Sequence, residues 1–199
     1  MLQSEPIILA SKSASRRAML DAVGVEYEAI PADIDERAVE DSLTGASPAE
    51  VAEALAVAKA AAIAADHPDR IVLGSDSLVV CDGQRFDKPQ SREDAAAHLR
   101  FFSGKVIELH SGAALLRGQG CEWSGSALAE MHVRELSEAF IESYLEKEWP
   151  EVGYCVGVFR IEALGPHLFE QITGDQFTVL GMPLLMVLEG LRDAGALAR

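Results

Sequence analysis

A chain of 199 residues with 49% hydrophobic and 25% charged residues can bury a substantial core, which excludes a disordered protein. Its net charge of −15 disfavours a nucleic-acid polymer or an anionic membrane as partner, because both select basic surfaces. Cys81, Cys121 and Cys155 are widely spaced and form no C-x-x-C pair, so neither a disulfide framework nor structural zinc is expected, which suits a reducing cytoplasm.

Strand-like sequence begins at Ile7, too early for a signal peptide, and no apolar run approaches the length of a membrane span. Ile7-Ile8-Leu9-Ala10 predicts a short buried strand. It runs into Ser11-Lys12-Ser13-Ala14-Ser15-Arg16-Arg17 and then a predicted helix, Ala18 to Val23, closed by Gly24. A strand that ends in hydroxyls and becomes a helix turns unpaired backbone N–H groups toward a ligand. Arg16 and Arg17 add forked donors suited to phosphate oxygens, so the stretch reads as an anion cradle. The plainer alternative is a serine N-cap followed by solvent-facing arginines.

Tyr27 to Ile30 predicts a second strand, followed by Pro31 and the acidic run Asp33-Ile34-Asp35-Glu36, read as a loop. Ser47-Pro48-Ala49-Glu50 has the form of a capping box and opens a long alanine-rich helix to Asp66 that carries Lys59. Arg70 to Ser75 is the clearest buried strand, with Asp76 at its end. Ser77 and a second strand-like run, Leu78 to Cys81, follow, then a hairpin turn at Asp82-Gly83. Lys88-Pro89 precedes a Ser91-capped helix to Phe102. Val106–Leu116 and Ala127–Val133 predict paired strands around a Gly-rich loop, and Ser137 caps a helix through Glu148. Gly153 to Gly165 is expected to wrap over a site, Gly174-Asp175 to turn, and Met182-Pro183 to open a final helix, Leu184 to Leu191. Strands and helices alternate without a clean boundary, which predicts one α/β domain over residues 1–199, open to division into two lobes.

Ligands in open α/β sheets bind beyond the carboxyl ends of strands, where Asp76 and the 11–17 loop are expected to lie. A carboxylate beside a polyphosphate can hold a hard divalent cation or take a proton from attacking water. Taken singly, Asp33, Asp35 and Glu36 suit a solvated loop and Asp76 a turn. Taken together with the cradle they make a consistent set.

The opening Ile8-Leu9-Ala10-Ser11-x-Ser13-x-x-Arg16-Arg17, then Asp35-Glu36, Lys59, Gly74-Ser75-Asp76-Ser77 and Lys88-Pro89, resemble the Maf family of nucleoside triphosphate pyrophosphatases. Leu99–Gly104, Gly157–Gly165 and Gly174–Pro183 extend the resemblance over nearly the whole chain. It implies a mixed twisted sheet with flanking helices, two lobes around a deep cleft, and a homodimer. It also implies hydrolysis of a nucleoside triphosphate to the monophosphate and pyrophosphate, with Mg2+ or Mn2+. Asp76 resembles the proton acceptor, Lys59 and Lys88 the charge stabilisers, and Glu36 with Asp76 the metal ligands. Ser11, Ser13, Arg16 and Arg17 fall on the triphosphate-binding positions, and Ser15, Ser77 and Glu162 on those associated with base choice. Glu162 is similar to the branch that cleaves 7-methyl-GTP, which implies a purine-leaning preference; a pyrimidine preference (dTTP, UTP) is the alternative within the family.

The chain departs from the family pattern at Ala14, where proline is usual, at Ala58, where glutamate is usual, and across Cys155-Val156-Gly157-Val158-Phe159. A nucleotidyltransferase is a weaker reading, since residues 11–17 contain no glycine. A non-enzymatic nucleotide-binding regulator of septum formation is the remaining alternative, and the presence of Asp76, Lys59 and Lys88 argues against it.

Overall fold

In the computed structural model, which describes residue 3 and residues 5–199, the chain builds two compact units and neither is contiguous in sequence. The first comprises residues up to Ser77, Ser111–Ala127 and Gln176–Arg199; the second comprises Leu78–His110 and Leu128–Asp175. The strands form one seven-stranded mixed sheet, as the sequence predicts for the fold class.

In the first unit, β1 (Ile7–Leu9) lies parallel to both β2 (Tyr27–Ala29) and β3 (Ile71–Cys81), with Ile8 opposite Val72 and Leu9 opposite Leu73. Parallel strands are covered on both faces, and the apolar residues divide accordingly. Ile7, Leu9 and Leu73 point to one side, with Met19 and Leu20 of α1 (Ala14–Ala22) and Leu184, Val187 and Leu191 of α7 (Leu184–Asp193). Ile8, Ala10 and Val72 point to the other, against Ala56, Ala60 and Ala64 of α3 (Pro48–Ala64). The alanines matter for approach distance. A Cβ on Gly74 would lie 2.0 Å from the Ala56 carbonyl oxygen, and one on Gly112, in β5 (Val106–Arg117), 2.4 Å from that of Ala52. The predicted capping box is present: Ser47 Oγ accepts from the Glu50 amide while Glu50 accepts from the Ser47 amide.

The second unit contains the last residues of β3, which turn at Asp82-Gly83, both at positive φ, into β4 (Gln84–Phe86). Phe86 packs edge-on against Phe102 of α4 (Arg92–Phe102), with ring centroids 4.7 Å apart. α5 (Glu138–Glu148) presents Glu138 and Glu142 to Arg100 and Arg92 of α4. β7 (Phe169–Thr173) pairs antiparallel with β6 (Gly120–Val133). Residues 151–168 are short 3-10 turns, and Tyr144 of α5 donates its hydroxyl to the Val158 carbonyl.

Several elements differ from the sequence reading. α1 begins at Ala14, four residues early, because Ser13 caps it. The acidic run ends in a helix, α2 (Glu36–Asp41), capped by Asp35. β6 begins at Gly120 rather than Ala127. β7 and the short α6 (Gln176–Val179) flank the Gly174 turn. The three thiols are free, and among the described residues no helix is long and apolar enough to cross a membrane.

The close approach of α3 makes Gly112→Ala destabilising by about 3 kcal/mol in urea unfolding, because the methyl meets backbone. Gly120→Ala, whose methyl would find its nearest neighbour at 3.5 Å, is expected to cost less than about 0.5 kcal/mol. A pH effect follows from His98 of α4. Burial pushes its pKa down, against the weaker pull of Asp94 and Asp87, and its Nδ1 has no protein partner. The unfolded chain therefore takes the proton first, so the contribution of His98 is present above about pH 6.5 and lost as pH falls through the lower folded value. Melting curves should show His98→Phe losing less stability than the parent on acidification through that window.

Candidate active site

The candidate site lies in the first unit, where the edge of β3 lacks a strand partner. β1 pairs with β3 up to Leu73, and the Ala10 amide makes the last bond to the Leu73 carbonyl at 2.8 Å. β4 begins pairing only at Val79. Between them, the carbonyl of Ser75 accepts from Arg16 Nη1 at 2.8 Å. A side chain from the start of α1 thus occupies the place of a neighbouring strand.

The Arg16 guanidinium is buried and multiply bonded. Nε donates to the Gly181 carbonyl at 2.9 Å, Nη1 also to Ser11 Oγ at 3.2 Å, and Nη2 to Ser77 Oγ at 3.1 Å. Burial lowers its pKa from the ordinary arginine value, opposed by attraction from Asp76 and then Glu36. Arginine remains charged in such a setting. Asp76 therefore faces the same ground as the 11–17 loop.

Alternation along β3 puts Gly74 and Asp76 on the face covered by α3, and Ser75 and Ser77 on the other. On the α3 face, Lys59 Nζ lies 2.5 Å from Asp76 Oδ1 and 2.8 Å from Glu36 Oε1. The Lys59 and Asp76 side chains are each 13% exposed, and Glu36, at the first turn of α2, is 47% exposed. One ammonium joins two carboxylates.

The two acidic groups converge on one cation position, which suits a hard divalent ion as well as an ammonium. Among the described residues no third His, Cys, Asp or Glu completes an all-protein metal cage. Glu36 and Asp76 are the carboxylates here that would hold a hard divalent ion.

Residues 6–194 match the family described as Maf-like protein. The chain belongs to the Maf family. A protein named nucleoside triphosphate pyrophosphatase from Nitrobacter hamburgensis is 44% identical over 196 residues, covering 98% of this chain and 97% of that one. A protein named 7-methyl-GTP pyrophosphatase from Rhizobium meliloti is 44% identical over 193 residues, covering 96% of this chain and 97% of that one. Among solved structures, a HAM1 protein from Coxiella burnetii is 18% identical with a TM-score of 0.45, covering 65% of this chain and 73% of that chain.

Of the Maf motif residues, Ser11, Ser13, Ser15, Arg16, Arg17, Glu36, Lys59, Asp76 and Ser77 belong to the first unit, where bonds join Arg16 to Ser11 and Ser77, and Lys59 to Glu36 and Asp76. Lys88 and Glu162 belong to the second unit, and both are exposed. Asp76 is not at a strand end: β3 continues through it to Cys81, and its carboxylate is displayed from mid-strand. Ser13 Oγ accepts from the Arg16 amide as a helix cap, so the cap reading holds for this residue. Ser11 Oγ accepts from the Ser13 amide as well as from Arg16. The first-turn amides of Ala14 and Ser15 have no intrahelical partner, and Arg17 is exposed beside them. Sequence reasoning gives no role to the Ser75 and Gly181 carbonyls that accept from Arg16, although both residues lie in quoted motifs, nor to Ser111, which contacts Ser77 and donates to the Thr178 carbonyl.

The lysine bridge gives a stability prediction. Lys59→Met leaves Asp76 without its cation and should cost about 3 kcal/mol in chemical unfolding. Adding Asp76→Asn should recover part of that loss, giving a coupling of at least about 1 kcal/mol. Strictly additive losses would mean the two side chains act independently.

Proposed function

We propose that the protein hydrolyses a nucleoside triphosphate between the α- and β-phosphates, releasing the nucleoside monophosphate and pyrophosphate. The observation that carries this reading is the convergence of the Lys59-bridged Asp76 and Glu36 on the ground held by Arg16 and the α1 N-terminus. The relatives' names support the reaction class. Local charge supports it too. Lys12 and Arg17, in the opening loop, form no ion pair among the described residues, although the chain carries a net charge of −15.

Attack at the α-phosphorus needs neutralised phosphate oxygens and an oriented water more than it needs a covalent intermediate. The Ala14 and Ser15 amides, Arg17 and the free N–H of Arg16 are the donors for the triphosphate. Lys59 fixes Asp76 through Oδ1, leaving Oδ2 without a donor among the described residues and able to take a proton from water. A divalent ion held by Glu36 and Asp76 would neutralise phosphate charge.

Residues 1–199 act as one functional domain in this proposal, since the family match runs across both interleaved units. A purine substrate with a modified base is favoured over a pyrimidine, supported by Glu162 and by the name of the Rhizobium relative. A homodimer, as the family resemblance implies, is compatible but not required, because the first-unit site residues come from one chain.

The test is pyrophosphate release from 7-methyl-GTP, GTP, dTTP and UTP with Mg2+ or Mn2+. Asp76→Asn should lower turnover by roughly 10²–10⁴-fold while leaving nucleotide binding in place. Full activity in that variant removes Asp76 from the chemistry. Faster turnover of dTTP and UTP than of 7-methyl-GTP overturns the purine preference, and nucleotide binding without any turnover favours a regulator.

A further inference from the structure

The ammonium of Lys59 sits at the point where Glu36 and Asp76 would hold a divalent ion. Its bonds to Asp76 Oδ1 at 2.5 Å and Glu36 Oε1 at 2.8 Å use two of its three N–H groups. Neither carboxylate has another cation within ion-pair distance among the described residues. Arg16 attracts both, but its nitrogens donate to Gly181, Ser11, Ser75 and Ser77 instead. Removing the ammonium therefore leaves two converging carboxylates, with the Asp76 side chain only 13% exposed, and no counter-charge in contact.

A hard divalent ion needs the same carboxylate lone pairs that the ammonium holds. The two cations repel each other at contact range, so loading the ion means moving the ammonium. The helix cannot carry it away: Ala56 and Ala60 of α3 are fully buried, and their turn lies against Gly74. Only the Lys59 side chain can swing. Once displaced, it has three N–H groups and has lost both of its acceptors. The oxygens of a bound triphosphate are acceptors of the right charge.

We propose that Lys59 is an internal counter-ion that competes with the divalent ion for Glu36 and Asp76, and that the nucleotide relieves this competition by taking the ammonium onto its phosphates. The proposal rests on the triphosphate reading above and on those two carboxylates as the metal ligands. It couples the two binding events: the ion alone binds weakly, and ion and nucleotide improve each other's affinity by the same factor. Lys59 holds Asp76 until substrate arrives, and the phosphates afterwards.

The experiment titrates Mn2+ alone into the nucleotide-free protein and reads the bound ion by electron paramagnetic resonance. A competitor that fills the position roughly nine-tenths of the time weakens apparent affinity about tenfold. Lys59→Met and Lys59→Gln should therefore each bind Mn2+ at least roughly tenfold more tightly than the parent, and adding Asp76→Asn should abolish that gain. Arg17→Met removes an exposed charge of the opening loop without vacating the position, and should stay within about threefold. The α,β-methylene analogue of GTP, which resists cleavage, should tighten Mn2+ in the parent more than in the Lys59 variants, after correction for Mn2+ held by free analogue. Mn2+ affinity unchanged in both Lys59 variants, a gain as large in Arg17→Met, or a gain that survives Asp76→Asn overturns the proposal.

A second readout needs neither a variant nor turnover: 13C relaxation of the Lys59 Cε group in parent protein carrying labelled lysine. The group should be rigid in the metal-free protein, mobile with saturating Mg2+ alone, and rigid again once the analogue is added. A Cε that stays rigid under saturating Mg2+ alone shows that ion and ammonium do not exclude each other, and sinks the counter-ion claim whatever the activity. If Mg2+ alone frees Lys59 but no triphosphate binds or turns over, the triphosphate reading fails and takes the nucleotide's part with it, while the competition for Glu36 and Asp76 stands.

Discussion

A strand edge left open over a few residues is the constraint that the site depends on. β3 has β1 beside it as far as Leu73 and β4 beside it from Val79. Buried carbonyls in the interval need donors, and water is not available to provide them all. Arg16 provides one, at the Ser75 carbonyl. Burying a guanidinium is itself unfavourable unless its N–H groups are bonded and an opposite charge is near. Gly181, Ser11 and Ser77 meet the first condition, and Asp76 and Glu36 the second. The start of α1 must therefore come down on this interval, which is why the 11–17 loop lies beside Asp76.

What could be read from the sequence follows the range of the interactions concerned. Caps, turns and buried runs are local, and those at Ser47, Ser91 and Ser137 and the Asp82-Gly83 turn were legible. β3 was cut short at Ser75 because Gly-Ser-Asp-Ser looks like the polar end of a strand. The serines are tolerated inside it because Gly181 and Ser111, 104 and 34 residues from Ser77, satisfy them. No local pattern carries that information. α2 escaped notice because a short polar helix with no buried residue has no apolar stripe to betray it. The motif residues quoted by resemblance include two bonded groups that the sequence does not distinguish, Arg16 with Ser11 and Ser77, and Lys59 with Glu36 and Asp76. Ser13 Oγ accepts from the Arg16 amide and Ser77 Oγ from Arg16 Nη2, contacts that motif spacing does not disclose.

Lys59 shows why a residue type alone does not assign a role. On an alanine-rich helix a lone lysine is ordinarily a solvated one. Here the small residues that let α3 approach Gly74 and Gly112 also bring Lys59 down to the sheet. There its ammonium meets Asp76 and Glu36 together. The close approach and the charge cluster are two consequences of one packing choice. Replacing the glycines would lift the helix and, with it, the cation that holds Asp76 in place.

An acidic protein that takes an anionic substrate presents an apparent conflict, which distance resolves. Charges exposed to physiological salt are screened over about 8 Å, so the net −15 matters for solubility and weak encounters more than for events inside a site. Within that distance the neighbours decide. Arg70, Arg92 and Arg100 are neutralised by Glu28, Glu142 and Glu138, whereas Lys12 and Arg17 at the opening loop have no acidic partner among the described residues. Arg16 is buried among neutral oxygens, so its charge is only partly offset by the more distant carboxylates. The positive field at the α1 N-terminus is thus local and reinforced by the first-turn amides. Such a field suits an anion at contact range even though the chain as a whole is acidic.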